Sequence, residues 1–338
     1  MNVATSGEAA EAFMQDLGVV DETGIGLSLE NGRKPRAVLI AGPTASGKSA
    51  LALDLAERHG GTIINADSMQ VYATLRILTA RPSDAEIERA PHRLYGHVPP
   101  SERYTVARWR SDVAAAIAET EGEGRLPIIV GGTGLYFKAL TEGLATVPPI
   151  PDALREALDR AANDEGVPAV HARLAALDAE GAARLSPNDR TRVLRALEVV
   201  TATGRPLAAF QSEEGLPPLI APEAALRLVI EPDRAVLYER INRRFDQMVD
   251  AGALEEARAL LTLGLDPNLP AMKAIGVKEF GGYLAGRASL EAAIDEAKMQ
   301  TRRYAKRQGT WFRNQMGDWG RVPANPQGIY EAMLNSSS

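Results

Sequence analysis

Short apolar runs alternate with helix-like segments through the first half of the chain. Residues 37–41, 62–65 and 126–130 are predicted strands, because each is a brief, mostly apolar run bounded by charged or turn-forming residues. Residues 48–59 and 135–140 have apolar positions at helical spacing and are predicted helices. This alternation predicts a parallel sheet covered by helices, in which ligands bind where the strands end.

The pattern becomes purely helical in the middle of the chain, between two proline-rich connections. The clearest helix is predicted at 188–203, where Asn188 or Asp189 can cap the start and Gly204 can end it. Because another strand is predicted at 226–230, we interpret the helical block as an insertion into an α/β core. The expected domains are a core of residues 34–146 and 219–330 with C-terminal helices, and a helical insertion of residues 147–218.

A basic segment overlaps the last long predicted helix, residues 291–308. Between residues 298 and 313 there are six cations and no acid. A solvated charged face is the usual explanation for such a run, but solvated faces normally mix both signs. We therefore favour a surface for nucleic acid, with aromatic side chains available for base stacking. The cations are Lys298, Arg302, Arg303, Lys306, Arg307 and Arg313, and the aromatic residues are Tyr304, Trp311 and Phe312.

Composition narrows the class of protein. With 45% hydrophobic and 24% charged residues, the 338-residue chain has the balance of a soluble globular protein. It contains no cysteine, which excludes disulfides, thiolate metal sites and a cysteine nucleophile. No apolar run approaches the length of a membrane span and no signal peptide is evident. We therefore expect a cytoplasmic protein that makes no membrane contact.

The acidic excess is confined to the first part of the chain. The formal charge is −6, and the first 32 residues carry six acids and no lysine or arginine. The remainder is therefore neutral overall, so the net charge argues only weakly against a nucleic-acid partner. Residues 1–33 are expected to form an acidic, disordered tail.

One stretch carries a phosphate-binding motif, G-x-x-x-x-G-K-[ST], between a predicted strand and a predicted helix. In such a loop the backbone N–H groups and the helix N-terminus attract phosphate oxygens. Lys48 adds a positive charge, and the Ser49 hydroxyl is a candidate ligand for Mg²⁺. The candidate diphosphate-binding residues are Gly42, Pro43, Thr44, Ala45, Ser46, Gly47, Lys48 and Ser49.

Two further features follow strands at the same edge of the predicted sheet. Asp67 is either a cap or a metal-associated carboxylate, or a base directed at the phosphate loop. The turn Gly131-Gly132-Thr133-Gly134 is either a close packing turn or a second substrate contact. The chain also lacks Asp-Asp-x-x-Asp, the usual carboxylate clamp for Mg²⁺-diphosphate in isoprenoid chemistry. Any diphosphate must therefore be held by the phosphate loop.

Six stretches together resemble the tRNA dimethylallyltransferases, also called tRNA isopentenyltransferases. They are GPTASGKS, NADSMQVY, PIIVGGTGLYFKAL, RTRVLRALEV, MKAIGVKEF and TRRYAKRQGTWFR, and they lie in order between residues 37 and 313. The chain departs from the family pattern at Leu78, where a glycine is common, and at Gly96, where an acid is usual. The first stretch is shared with many kinases, whereas the last is specific to this family.

The resemblance implies a P-loop NTPase/kinase-like α/β core, a parallel sheet with an inserted all-helical domain that clamps tRNA. It also implies transfer of a dimethylallyl group from dimethylallyl diphosphate to N6 of adenosine 37, in tRNAs reading codons that begin with U. The adenosine would be flipped out of the anticodon loop to reach the site. Mg²⁺ is the implied cofactor and the tRNA anticodon stem-loop the implied partner. We expect a monomer.

Carried onto this chain, the resemblance assigns catalytic roles to Asp67, Lys48 and Thr133, with Asp67 accepting from the adenine amine and Ser49 binding the metal. Residues alone leave three alternatives open: a kinase, an isopentenyltransferase acting on free adenine nucleotides, and a non-enzymatic RNA-binding protein. The positions expected to contact tRNA are Asp67, Ser68, Met69, Gln70, Thr133, Arg155, Thr191, Arg192, Val193, Leu194, Arg195, Lys273, Lys278, Lys306, Arg307, Gln308 and Arg313.

Overall fold

The computed structural model describes Leu27, Leu29 and residues 33–323. Most of the predicted acidic tail, residues 1–33, therefore lies outside the described residues. Leu27 is 7% exposed and packs in an apolar cluster on one face of the sheet. Packing against the sheet thus begins before the boundary that the sequence predicted.

Six strands of the described chain form one sheet, in which every neighbouring pair is parallel. Their spatial order is β3-β2-β4-β1-β5-β6, so the strand that precedes the phosphate loop lies in the middle. The four predicted strands are confirmed to within one residue at each end. The strands are β1 (Ala37–Ala41), β2 (Gly61–Asn65), β3 (His92–Arg93), β4 (Leu126–Gly131), β5 (Ala225–Glu231) and β6 (Gly320–Pro323).

The helices confirm the predicted alternation, and the parallel α/β fold class is correct. The last helix begins at Leu290, as predicted to within one residue, but continues to Gln315 because Ala305 and Phe312 keep its inner face buried. In chain order the helices are α1 (Lys48–His59), α2 (Asp84–Arg89), α3 (Val106–Gly122), α4 (Gly134–Thr141), α5 (Asp152–Asp164), α6 (Val167–Leu177), α7 (Ala179–Ala183), α8 (Arg190–Thr203), α9 (Leu207–Ser212), α10 (Arg234–Asp250), α11 (Ala253–Leu261), α12 (Val277–Leu284) and α13 (Leu290–Gln315).

The sheet is buried on both faces, as a parallel sheet requires. Side chains alternate along β1, so Leu39 packs with Ile129 on one face, while Val38 and Ile40 pack with Ile128 on the other. This central burial fixes the carboxyl end of β1, where the phosphate loop begins.

Contacts divide the chain into two compact units, one of residues up to 141 and from 219 onward, the other of residues 142–218. The sequence placed the start of the helical insertion at 147. The earlier start has a local cause, because Leu144 and Leu216 exchange two backbone hydrogen bonds of 3.0 and 2.8 Å. These bonds tie the two ends of the second unit together.

The second unit contains helices α5 to α9 around a small apolar core that includes Val170, Leu174 and Val193. Its helix α8 starts at Arg190, two residues later than predicted. The Asp189 side chain caps it by accepting the Arg192 N–H at 3.2 Å, and Gly204 ends it. None of the helices in the described part of the chain is long and apolar enough to cross a membrane.

Candidate active site

The phosphate loop joins β1 to α1, as the motif predicted. Ala45 and Gly47 adopt left-handed backbone conformations, with φ of 62° and 98°. The Ser46 N–H donates to the Pro43 carbonyl at 3.2 Å and closes the turn. The hydroxyl of Ser46 is buried and has no hydrogen-bond partner among the described residues. A tightly curled loop with an unsatisfied buried hydroxyl fits a bound phosphate oxygen.

Lys48 contributes the positive charge of the loop. Its Nζ donates to the Pro43 carbonyl at 3.2 Å. Burial lowers the pKa of Lys48 to about 8; the Asp67 carboxylate opposes this change and the Arg244 charge adds to it. The ammonium group thus uses one N–H to donate to an uncharged carbonyl, and its other N–H groups can donate to an anion.

The residues present fit Mg²⁺ only when a phosphate ligand accompanies it. Ser49 is exposed in the first turn of α1, where the motif expects a metal-binding hydroxyl. The described residues contain no group of three His, Asp or Glu side chains that could hold a metal ion. Mg²⁺ commonly binds through one or two protein oxygens together with substrate phosphates and water, which suits this arrangement.

Asp67 lies at the carboxyl end of β2 and is held rigidly. Its N–H donates to the Asn65 side chain at 2.8 Å, and its Oδ1 accepts the Met69 N–H at 2.9 Å. The Asn65 amide also donates to the Asp67 carbonyl at 3.0 Å. One carboxylate oxygen therefore serves as a turn acceptor, while Oδ2 forms no hydrogen bond within the described chain. Asp67 can combine both predicted roles, local cap and base.

The glycine turn after β4 packs against the Asp67 segment. A Cβ on Gly131 would lie 2.0 Å from the Ala66 carbonyl oxygen, so only glycine permits this approach. The Thr133 N–H donates to the same carbonyl at 3.1 Å, and Thr133 Oγ1 accepts the Ser68 N–H at 2.9 Å. The packing interpretation of the turn is confirmed, the substrate contact stays a prediction, and Thr133 is positioned to orient the residue that follows Asp67.

A cavity of about 310 Å³ connects the phosphate loop with Asp67. Helix α10 presents one face to it, because residues 241, 244, 245 and 248 follow the i, i+3, i+4, i+7 spacing. The volume is at the lower end of the range for small-molecule sites. The lining includes Thr44, Ala45, Asp67, Ser68, Met69, Leu78, Thr79, Ile241, Arg244, Phe245, Met248, Lys273, Ala274, Ile275, Thr301, Tyr304 and Arg307.

Arg244 is a site residue that the sequence analysis missed. It forms no hydrogen bond or ion pair with any described residue, although it lines the cavity. Burial lowers the pKa of its guanidinium, an effect that the charges of Asp67 and Glu86 oppose. A signal was present, since Arg244 interrupts an otherwise apolar stripe of Ile241, Phe245 and Met248. A cation in such a stripe indicates an anionic ligand or partner.

Phenols near Asp67 remain protonated. Burial raises the pKa of Tyr95, Tyr136 and Tyr304, and the Asp67 carboxylate raises each of them further. Tyr136 stacks on Trp109 with ring centroids 4.3 Å apart, and the Trp109 indole donates to the Asn65 carbonyl at 2.9 Å. Asp67 is thus the group in this neighbourhood whose free oxygen can accept a proton.

Leu78 departs from the family pattern without straining the backbone. The N–H groups of Arg76, Ile77 and Leu78 donate to the Glu256 carboxylate at 2.7, 2.7 and 2.8 Å. Leu78 does not adopt positive φ, so its conformation does not require glycine. Its side chain adds apolar surface to the cavity.

Gly96 also has a local explanation. A Cβ at this position would lie 2.0 Å from Arg81 Nη1. Arg81 uses that nitrogen to donate to the carbonyls of Tyr72 and Ala73, at 3.0 Å each. The glycine therefore provides the space in which Arg81 holds the loop after Asp67.

The basic run on α13 is less free than its sequence indicated. Lys298 pairs with Asp246 at 2.6 Å, Arg302 donates to Asn242 at 2.6 Å, and Arg313 pairs with Glu231 at 2.8 Å. The run lacks acids only in sequence, because α10 and β5 supply them in space. Arg313 stays a predicted RNA contact, since it is exposed although it pairs with Glu231, and Arg303, Lys306 and Arg307 are exposed as well.

The prediction that the aromatic residues of this run stack on bases is wrong for Phe312 and stays a prediction for Tyr304 and Trp311. Phe312 is 1% exposed within the core, and Trp311 packs so closely on Gly134 that a Cβ there would lie 2.1 Å from its ring. Tyr304 lines the cavity. Helical periodicity turns Phe312 inward, which the composition of the run did not reveal.

Several residues expected to contact tRNA have buried side chains. Val193 and Leu194 are 0% and 7% exposed in the core of the second unit, so the prediction is wrong for their side chains. Gln308, at 6% exposed, is likewise unavailable to RNA. The Gln70 amide donates to the carbonyls of Thr79 and Ala80 at 2.9 and 2.8 Å, and so supports a cavity loop.

The remaining predicted contacts are accessible. Thr191 and Arg192 are exposed on α8, and Arg155 and Arg195 both approach Glu198, at 3.7 and 3.4 Å. In the first unit, Ser68, Met69 and Lys273 line the cavity, and Lys278 is exposed.

The chain is similar to proteins of one known family. The IPP transferase family model matches residues 70–315, and an isopentenyl transferase model matches residues 35–97. The tRNA dimethylallyltransferase of Agrobacterium fabrum is 55% identical over 287 residues, which cover 85% of this chain and 96% of that protein. That of Rhodospirillum centenum is 59% identical over 285 residues, 82% of this chain and 88% of its own.

Solved structures show the same architecture. The tRNA isopentenylpyrophosphate transferase of Bacillus halodurans is 37% identical, with a TM-score of 0.63 over 90% of this chain and 96% of that one. A eukaryotic dimethylallyltransferase acting on tRNA is 29% identical, with a TM-score of 0.72 over 89% of this chain and 77% of that one. The phosphate loop, the Asp67 turn and these similarities lead to one conclusion: the chain belongs to the tRNA dimethylallyltransferase family of prenyltransferases.

Proposed function

We propose that this protein transfers the dimethylallyl group of dimethylallyl diphosphate to N6 of adenosine 37, in tRNAs reading codons that begin with U. The products are N6-dimethylallyladenosine and diphosphate. The observation that carries the proposal is a single cavity lined by the phosphate loop at Thr44 and Ala45 and by Asp67. Family membership supports tRNA and a dimethylallyl donor, and the resemblance described above supplies the position and the codon set.

The cavity suits a reaction that needs help at both ends. The adenine amine is a poor nucleophile, because its lone pair is delocalised into the ring. At one end Lys48, Arg244 and the loop amides neutralise charge that builds on the departing diphosphate. At the other end Asp67 orients the amine and accepts its proton as the N–C bond forms and the C–O bond breaks. No phosphoryl group is transferred.

The apolar part of the lining has its own role. Ile241, Phe245 and Met248 lie on the same face of α10 as Arg244. They provide a dry surface for the allylic carbons and limit the access of water, which would otherwise compete with the amine. Mg²⁺, held by Ser49 and the diphosphate, would add further neutralisation of the leaving group.

One assay separates this function from its alternatives. Purified protein is incubated with Mg²⁺ and labelled dimethylallyl diphosphate, together with unmodified tRNA or with AMP. We expect label on tRNA alone, and its loss when adenosine 37 is replaced by guanosine. Label on AMP but not on tRNA would contradict the proposal, and ATP turnover without the isoprenoid would favour a kinase.

Exposed cations of α13 are proposed to contact the RNA backbone. Neutralising Arg303 and Lys306 together, each to Gln, should weaken tRNA binding and reduce the log–log slope of its salt dependence by about 1.4 to 1.8. Fluorescence anisotropy with an anticodon stem-loop at several salt concentrations measures the slope. Lys298→Gln is the matched comparison, because Lys298 is occupied by Asp246 and should leave the slope unchanged. Equal slopes for the double variant and the parent would show that this face is only solvated.

Affinity for Mg²⁺-diphosphate should fall as the pH rises above 8. Because the pKa of Lys48 is lowered to about 8 in the free protein, Lys48 loses its proton above that pH and must regain it to bind the anion. Affinity should then drop about tenfold per pH unit, relative to Lys48→Arg, whose charge persists. Isothermal titration between about pH 7 and 9.5 tests this. Parallel pH profiles for parent and variant would remove Lys48 as the charge partner.

A further inference from the structure

The side-chain amide of Gln308 connects two parts of the site. Its Oε1 accepts the Thr44 N–H of the phosphate loop at 3.0 Å, and its Nε2 donates to the Gly132 carbonyl at 2.9 Å. If the amide were flipped, its NH₂ group would face the Thr44 N–H and its oxygen would face the Gly132 carbonyl oxygen. Only the observed orientation therefore satisfies both contacts. Gln308 is 6% exposed, which leaves these bonds without competition from water.

The partner turn is shaped around this amide. A Cβ on Gly132 would lie 2.2 Å from Gln308 Nε2 and 3.3 Å from Asp67 Oδ2. Gly132 therefore lies between the amide and the free oxygen of the proposed base. The next residue, Thr133, accepts the Ser68 N–H at 2.9 Å, so the same turn also holds the segment that carries Asp67.

The phosphate loop has a second attachment to the same helix. Ala45 packs against an apolar cluster formed by Ala305 of α13 and by Leu237 and Ile241 of α10. Ala305 and Gln308 are three residues apart and share one face of α13. The helix that carries the exposed cations thus supports the phosphate loop through this apolar cluster and through the Gln308 hydrogen bond.

We infer that Gln308 is a positioning residue, which sets the distance between the diphosphate-binding loop and Asp67. This inference rests on the proposed function, in which the donor lies against one of these parts and the adenine amine against the other. For displacement, the amine nitrogen must lie opposite the breaking C–O bond of the donor. The phosphate loop and Asp67 must therefore be held at a fixed separation, because small displacements of reacting groups are costly. The role differs from the RNA contact that the sequence predicted for this residue.

Gln308→Met tests the inference, since it keeps the side-chain volume and removes both hydrogen bonds. We expect Kd for Mg²⁺ with inorganic diphosphate to rise about tenfold, the effect of losing a buried hydrogen bond. With saturating tRNA, KM for dimethylallyl diphosphate should rise and kcat should fall by about 10- to 100-fold. Affinity for the anticodon stem-loop should stay within about twofold, as for a residue that touches no RNA.

The matched control is Gln315→Met, two turns further along α13, where the side chain is exposed and accepts from Lys138 at 3.3 Å. It should behave like the parent in all three measurements. If Gln308→Met does not fold, Gly132→Ala disturbs the same contact from the other side and should give the same pattern. A merely structural role would reduce the active fraction, lowering kcat with unchanged KM and diphosphate Kd, and would overturn the inference.

Two other results would also overturn it. If Gln308→Met bound the stem-loop more weakly and diphosphate equally well, Gln308 would be an RNA contact. If all its values matched those of the parent, Gln308 would have no role in the site. The proposed function is judged separately, by whether the parent prenylates tRNA. Diphosphate affinity of parent and variant can be compared whatever the outcome of that assay.

Discussion

Asp67→Asn is expected to lower turnover of tRNA by about 10²- to 10⁴-fold, the usual contribution of a general base. The variant keeps a side-chain oxygen that can accept the Met69 N–H, which Asp67 accepts at 2.9 Å, so the turn should survive. The substitution removes the basicity of Oδ2, the carboxylate oxygen that forms no hydrogen bond with the described residues. Single-turnover prenylation with labelled donor measures the effect.

The interpretation of this variant depends on intact binding. Affinity for the anticodon stem-loop and for Mg²⁺-diphosphate should remain within about threefold of the parent, because only proton transfer is removed. Asp250→Asn is a suitable control, since Asp250 is an exposed carboxylate at the end of α10. Undiminished turnover in Asp67→Asn would exclude Asp67 as the base and leave it only its role in the turn.

Arg244→Met is expected to reduce kcat/KM for dimethylallyl diphosphate by about 10²- to 10³-fold. Arg244 lines the cavity beside the phosphate loop and forms no ion pair with the residues that the structure describes, so its charge is available to the leaving group. Because the group is largely removed from water, its interaction with the diphosphate is weakly screened. Steady-state kinetics at saturating tRNA, with donor concentration varied, give the value.

The neighbouring residue offers a matched control. Arg243 is exposed on the same helix, and Arg243→Met should leave kcat/KM for the donor unchanged. Arg244→Met is also expected to be no less stable than the parent, since Arg244 is partly desolvated and forms no hydrogen bond or ion pair with the described residues. A lowered melting temperature together with normal donor kinetics would assign Arg244 to the fold and contradict the proposed role.

Features that depend on neighbouring residues were predicted well from the sequence. The four predicted strands and the helix after the phosphate loop were placed to within one residue, whereas the two edge strands, His92–Arg93 and Gly320–Pro323, were not predicted. Each of them follows from a short-range rule, such as an apolar run between turn residues or a helix with a defined end. The motif itself carries its chemistry, because the loop and its helix are consecutive in the chain.

Features that depend on distant residues were predicted poorly. Gln308 and Thr44 are 264 residues apart, and their hydrogen bond exists only because α13 packs beside the phosphate loop. The same holds for Lys298, whose counter-ion Asp246 lies on another helix. A charge count along the chain cannot include partners that folding brings in, and it overestimated the free basic surface.

The chain alone is thus sufficient for the alternating architecture, the phosphate loop and the position of Asp67 at the ligand edge, since parallel strands end together. Folding adds the orientation of helix faces: it directs Arg244 into the cavity, buries Phe312 and joins Gln308 to the loop. Such orientations arise from packing between segments far apart in sequence, where small rotations of a helix exchange buried for exposed positions. The phosphate loop is therefore local in sequence, whereas the positions of Arg244 and Gln308 beside it depend on tertiary packing.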